Sequence, residues 1–336
     1  MSDNPPPWLT VIIVNYNGKR FVQGALDSLS KQTDQEFKVI LVDNASSDGS
    51  LDDLRTDHLP AYELLASDEN LGFAGGNNLA AKQATTPWIA LLNPDAAAFT
   101  NWVAELRHAT EAFPNVNVFA GATLNMDRPD MMDGAGDAYF GFGLPWRGGY
   151  GRAASEMPSV GTCFSPCGAA ALYKREVFLG AGGFPEPFFC FCEDVDLAFQ
   201  LRLQGETCVF WPEAKAYHVG GGTTGPASRF AVYHGARNRA WTFFRNMPPV
   251  ALAVLLPFHL LLTAALILRA ALSRELRPTL RGLRDAFFTG QLFAGRKDIQ
   301  ARRIVSSWQI MQAFSWSPLR VLGKKPDVRP LKIEDH

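Results

Sequence analysis

Along the first hundred positions short apolar runs alternate with stretches whose apolar residues recur at helical spacing. Trp8 to Val14 reads as a buried strand, ended by Asn15, Tyr16, Asn17 and Gly18. Phe21 to Gln32 then sets Phe21, Val22, Ala25, Leu26 and Leu29 on one helical face. Phe37 to Val42 predicts a second strand, after which Asp48 or Ser50 can cap a helix reaching Leu54. Tyr62 to Ala66, Gly76 to Ala84 and Trp88 to Leu92 continue as strand, helix and strand. Such alternation predicts an α/β fold, a mostly parallel sheet with helices on both faces. Trp102 to Ala112 predicts a further helix, but Asp133 to Gly151 is glycine-rich and aperiodic, the character of a loop that orders around a substrate. Periodicity resumes with a strand at Gly168 to Tyr173, a helix at Arg175 to Ala181 closed by Gly182 and Gly183, an amphipathic helix at Glu193 to Gln204 and a short strand at Thr207 to Trp211.

Val250 to Leu268 carries no formal charge and is near the ~20 residues that a membrane-spanning helix needs. Arg245 precedes it, and Arg269, Arg274, Arg277, Arg281 and Arg284 follow. A span, an in-plane helix held by apolar burial and arginine-to-phosphate attraction, and a buried soluble helix all fit this pattern. Net charge sharpens the contrast: residues 1–243 hold 17 Lys+Arg against 27 Asp+Glu, and residues 244–336 hold 15 against 6. Beside an apolar run, the basic end suits a membrane surface rather than nucleic acid. Two units are therefore expected, a catalytic domain over 8–246 and a helical, membrane-associating region over 247–336. Met1 to Pro7 lacks the basic-then-apolar pattern of a secretory signal, so the catalytic part is expected in the cytoplasm, peripheral to or anchored in the inner face of the membrane. Five cysteines, an odd number at spacings unlike a zinc ribbon or finger, fit reduced thiols.

Acidic groups at the carboxyl ends of parallel strands sit where open α/β sheets bind ligands, so one crevice can collect a nucleotide and a divalent ion. The ordered segments VIIVNYNG, VDNASSDGS, ENLGFAGGNN, LLNPDA, CGAAALYKREVF, GGFPEPFFCFCEDVDLAFQLRLQG and HVGGGTTG resemble family 2 inverting glycosyltransferases of the GT-A fold, in particular the rhamnosyltransferase-like branch. The likeness spans about Leu9 to Asn246. It implies transfer of a sugar, with rhamnose a candidate, from a dTDP- or UDP-sugar to a saccharide or lipid-linked saccharide acceptor in cell-envelope polysaccharide synthesis.

The resemblance also implies roles for individual residues. Asp43 would accept the ring N–H of a uracil or thymine, flanked by Asn15 and Tyr16; an Asx turn is the alternative. Asn70, Gly72 and Asn77, in a glycine-rich turn, and Asn93 would approach the donor nucleotide through backbone and amide groups; a tight turn that needs positive φ is the alternative for the glycine-rich segment. Asn93-Pro94-Asp95 stands where the family carries an acidic metal motif, with Asn in place of the first acid. Asp95, completed by His218, would then bind Mg²⁺ or Mn²⁺ and neutralise charge on the leaving diphosphate. Asp194, at a helix start whose dipole stabilises a carboxylate, would be the general base, with Glu193 orienting the acceptor; a helix cap is the alternative. Apart from the resemblance, the arginines of the segment that holds Arg229, His234, Arg237 and Asn238 could reach a donor or lipid diphosphate; a solvated or helix-capping face is the alternative. A catalytically silent nucleotide- or saccharide-binding protein is the competing function, motivated by Asn93. A nucleotidyltransferase is disfavoured, because NYNGKR does not resemble a triphosphate-gripping loop.

Overall fold

The computed structural model describes residues 6–220 and 228–331. The second half of the HVGGGTTG segment lies outside the described residues. The strands are β1 (Leu9–Asn15), β2 (Phe37–Asn44), β3 (Tyr62–Ser67), β4 (Trp88–Leu92), β5 (Ala96–Ala98), β6 (Val118–Asn125), β7 (Met132–Ala135), β8 (Asp137–Phe140), β9 (Leu144–Arg147), β10 (Gly161–Cys163), β11 (Ala170–Lys174) and β12 (Cys208–His218). The helices are α1 (Val22–Leu29), α2 (Gly72–Gln83), α3 (Trp102–Ala112), α4 (Arg175–Gly180), α5 (Glu193–Leu203), α6 (Arg229–Asn246), α7 (Pro249–Leu272), α8 (Leu276–Phe288), α9 (Arg296–Ala301), α10 (Ser307–Ala313) and α11 (Pro318–Leu322).

The main sheet runs β10-β12-β6-β11-β4-β1-β2-β3, with β5 on β12 and β7 on β6. Strands β4, β1, β2 and β3 are parallel, and β11 runs antiparallel to both β4 and β6. Period two then sorts the core. Leu9, Val11 and Ile13 of β1 face α1 and α3, whereas Ile12 and Val14 face α2, α4 and α5. A third apolar cluster joins Tyr139, Phe164 and Phe199 to α6, α7, α8 and α10. Phe199 is fully buried there, and truncating it to alanine would cost about 3–5 kcal/mol.

Four local expectations are corrected. Residues 48–54 form no helix: Gly49 and Asp53 take positive φ, and Asp48 accepts the N–H of Ser50 and of Lys19, so the segment folds as turns. The stretch 133–151 is not a loop but β7 and the β8–β9 hairpin, because Gly136 and Gly143 turn the chain between strands too short to display a period. Helix α5 is buried on almost every face rather than amphipathic, because Leu197 and Leu201 join the core beneath the sheet while α6 and α9 cover the helix elsewhere. Strand β12 runs to His218, well past Trp211, with its register shifting between Trp211 and Lys215.

Candidate active site

Three strand ends build one side of the site. Strands β4, β1 and β2 are neighbours, and parallel register sets Asn15 opposite Asp43. Asn15 Nδ2 donates to Asp43 Oδ1 at 3.0 Å and to Ser46 and Ser50 hydroxyls, while Asp43 Oδ2 accepts the Ser46 N–H at 3.0 Å. Both residues lie beneath the floor, 0% and 4% exposed. This is the Asx arrangement, and each Asp43 oxygen still has a second lone pair for a base N–H. Above them, Tyr16, Asn17, Asn44, Asn70, Gly72, Asn93, Asp95, Arg147 and His218 line a cleft of about 620 Å³.

The glycines of the α2 entry serve packing. A Cβ on Gly72, which has φ +70°, would sit 2.4 Å from the Phe189 carbonyl, and one on Gly76 would sit 2.6 Å from Val14. Asn70 Oδ1 accepts the Gly72 N–H. Asn77 is turned away from the cleft, its amide donating to Phe73 O in its own helix at 2.8 Å.

Strand pairing explains how two distant residues meet. Strand β5 pairs with β12 so that Ala96 faces His218, which brings the preceding Asp95 against the imidazole. His218 Nε2 lies 3.2 Å from Asp95 Oδ1 and 3.2 Å from Asn93 Nδ2; its Nδ1 lies 2.8 Å from Asp133 Oδ2. Asp133 in turn accepts two bonds from Arg147 at 2.8 and 2.9 Å and one from Thr123 Oγ1. Burial alone would raise the Asp133 carboxyl, but Arg147, His218 and Thr123 hold it at about 2. Burial works against a charged His218, yet hydrogen bonds and charge from Asp133 and Asp95 outweigh it and raise the imidazole above its ordinary value.

A carboxylate fixing one imidazole nitrogen so that the other faces a second carboxylate is the supporting arrangement of metal-binding histidines. Asn93 Oδ1 is buried with no hydrogen-bond partner among the described residues. The donor set of Asp95, His218 and a nearby amide oxygen therefore fits a divalent ion whose remaining ligands are diphosphate oxygens and water. Asp137, Cys167 and Asp194 also bring three ligand atoms within 4.8 Å of one another. That group fits an ion poorly: burial pushes the Cys167 thiol up, and Arg147 already places a cation beside it.

The cleft continues into a hollow of about 330 Å³ lined by Asp137, Cys167, Gly168, Glu193 and Asp194, with Phe73, Asn93, Arg147, Cys190 and Phe191 walling both spaces. Asp194 Oδ2 accepts the Gly168 N–H at 2.9 Å and Oδ1 the Val195 N–H at 2.8 Å. Burial raises its carboxyl, and those two N–H groups and the Arg147 charge offset part of the rise. Glu193 is pushed well above the ordinary range by burial and then by the Asp194 charge, and its Oε2 has no partner among the described residues. The approach to this pair is strained. Phe189, Phe191 and Cys192 all have positive φ, a conformation that side-chain-bearing residues hold only when their surroundings enforce it. Asn238 Nδ2 enforces it by donating to the carbonyls of Phe188, Cys190 and Phe191, and Arg237 donates to those of Pro187 and Phe188. Arg237 and Asn238 thus clamp the loop rather than extend toward a diphosphate.

The model of the family "Glycosyl transferase family 2" matches residues 10–179. An N-acetylglucosaminyl-diphospho-decaprenol L-rhamnosyltransferase of Mycobacterium tuberculosis is 28% identical over 251 residues, covering 67% of this chain and 81% of the relative. Among solved structures, the mannosyltransferase PcManGT from Pyrobaculum calidifontis, in complex with GDP-Man and Mn²⁺, superposes with TM-score 0.52 at 18% identity over 95% of this chain and 88% of that one. S. aureus TarS 1-349 in complex with UDP gives TM-score 0.51 at 17% identity, covering 94% and 83%; the chain spans 42% of a longer TarS chain. These structures share the GT-A fold. With the family model matching half of its length, the chain belongs to glycosyl transferase family 2.

Proposed function

We propose that this chain transfers a sugar, with rhamnose the first candidate, from a dTDP- or UDP-sugar to a saccharide carried on a lipid, with inversion at the anomeric carbon, in cell-envelope polysaccharide synthesis. The M. tuberculosis relative's name supports the sugar and the lipid carrier. The observation that carries the reading is the shared cleft: the Asp95–His218 pair lines one end and Asp194 the other.

In this reading Asp194 Oδ takes the acceptor hydroxyl proton as that oxygen attacks the anomeric carbon on the face opposite the diphosphate. Its raised affinity for a proton suits a base working near neutrality. Glu193 Oε2, buried and available to a hydroxyl donor, orients the acceptor. Asp95 and His218 would hold Mg²⁺ or Mn²⁺, which when bound would neutralise charge on the leaving diphosphate. Tyr16, Asn70 and Asn93 line the donor end, with Asp43 and Asn15 beneath it. The test is Asp194→Asn with transfer and nucleotide binding measured together; transfer at the parent rate would remove Asp194 from this role.

Residues 8–246 carry the chemistry and 247–336 the membrane contact. Helix α7 is long and apolar enough to cross a membrane. Its contact stripe, however, runs from Ala251 through Leu255 and His259 to Ala270, so it lies against the protein body along its whole length. A bilayer-spanning α7 would carry that body into hydrocarbon. An in-plane seating at the cytoplasmic face instead immerses exposed Val254, Leu261, Leu268 and Leu272, with Trp308 and Trp316 on the neighbouring segments.

A further inference from the structure

Outside the cleft, Arg229, Arg274, Arg277 and Arg281 line a separate pocket of about 480 Å³ over an aromatic floor of Phe230 and Tyr233. All four arginines are exposed, no carboxylate lines the pocket, and none of the four forms an ion pair among the described residues. Their like charge is offset, among the described residues, only at Arg281, by the Asp285 carboxylate nearby and the Tyr233 ring 5.4 Å away, so the hollow as a whole favours an anion. The setting is also rigid. A Cβ on Gly282 would lie 2.4 Å from Tyr233 O, so α8 seats directly on α6, and the Tyr233 hydroxyl donates to Asp285 at 2.9 Å. Arg277 and Arg281, four apart on α8, thereby face Arg229 and Tyr233, four apart on α6. Arg274 joins from the α7–α8 turn with φ +63°.

Position gives the pocket its meaning. Phe230 lines both this pocket and the donor cleft, and its ring contacts Phe189 and Phe191 of the strained loop that leads to Glu193 and Asp194. On the other side, Arg274 directly follows the exposed apolar end of α7 at Leu268 and Leu272. An anion held here would have an apolar chain on the membrane side and a saccharide on the catalytic side.

We propose that Arg229, Arg274, Arg277 and Arg281 form the binding site for the diphosphate of a lipid-diphosphate-linked acceptor, the guanidinium forks gripping its oxygens. This rests on the lipid-linked acceptor of the preceding reading. It is tested with geranyl diphosphate as probe, titrated calorimetrically into the full chain with UDP or dTDP and Mn²⁺ saturating the donor site. The parent is expected to bind the probe, and Arg277→Ala/Arg281→Ala to bind it at least about tenfold more weakly with unchanged nucleotide affinity. Intact nucleotide affinity shows that the variant is folded; Arg274→Gly, in a turn that favours glycine, is the second variant. No binding with the donor site filled, or equal binding by both variants, overturns the proposal. So does a defect confined to phosphatidylglycerol vesicles, which would assign the arginines to bulk lipid headgroups. If the probe binds as expected but no sugar reaches a lipid-diphosphate saccharide, the site stands as a lipid-diphosphate site and the acceptor reading is what fails.

Discussion

His218 Nδ1 lies 2.8 Å from Asp133 Oδ2 although 85 residues separate them in the chain. Asp133 bonds His218, Arg147 and Thr123, and its bond to Nδ1 holds the imidazole so that Nε2 points at Asp95. Removing it with Asp133→Ala is expected to weaken Mn²⁺ binding about 10–100-fold, the usual effect of losing a carboxylate behind a ligating histidine. Electron paramagnetic resonance titration of Mn²⁺ reads this directly. An unchanged dissociation constant would mean that His218 is no ligand.

Asp194 sets the pH dependence. Its active form is the carboxylate, and burial lifts its carboxyl above the ordinary range. The fraction in the active form therefore rises with pH through that lifted value, and kcat/KM is expected to lose activity on the acid side earlier than an exposed aspartate would dictate. Asp194→Asn should lower kcat by about 10²–10⁴-fold and erase this limb, with nucleotide affinity retained. A variant keeping both rate and limb would assign the proton to another group.

The layered sheet was legible because β1, β2 and β4 are buried on both faces and the turns after them are polar; helix Trp102–Ala112 was legible from its spacing alone. The segment 132–147 was not. Its strands are four residues long and interrupted by Gly136 and Gly143, so no period develops, and Asp133, Asp137 and Arg147 went unplaced. Their importance comes from cross-strand register, Thr123 beside Gly134 and Asp137 beside Arg147, which is a property of pairing and not of local sequence. Asp95 stood out as the carboxylate in the polar turn that ends β4, whereas His218 came only from the resemblance; the β5–β12 pairing that joins them has no signature in either segment.

Asp137 makes the folded chain less stable at neutral pH. Burial, then the Asp194 charge, pushes its carboxyl well above the ordinary range, and its Oδ1 has no hydrogen-bond partner among the described residues. For a carboxyl raised on folding, the stabilising share is full below the unfolded value and is lost as pH rises through the folded one. Asp137→Asn removes that penalty. The variant is expected to melt about 2–4 °C above the parent at pH 8, roughly the shift of one kcal/mol in a chain of this size, with the gain shrinking toward pH 4. A melting temperature at or below the parent's at pH 8 would contradict the burial penalty assigned to this carboxyl.

Cutting the chain after Asn246 would be a poor test of the membrane contact, because the C-terminal helices complete the third core. His259 stacks on Phe243 at 3.9 Å, Trp241 Nε1 donates to Ala286 O, and Gln300 Nε2 to Asn246 O. Surface substitutions separate membrane contact from folding. Leu261, Leu268 and Leu272 are 68%, 65% and 83% exposed, so Leu→Gln at all three removes little internal packing. Each leucine immersed in lipid contributes about 1.5–3 kcal/mol, and even partial immersion of three makes the expected loss of vesicle partitioning more than about 10²-fold. Co-sedimentation with phosphatidylglycerol vesicles measures it, alongside a melting temperature near the parent's. Should the triple variant pellet as the parent does, α7 is not the surface that meets the bilayer, and Trp308, Leu319 and Leu322 on α10 and α11 become the residues to replace.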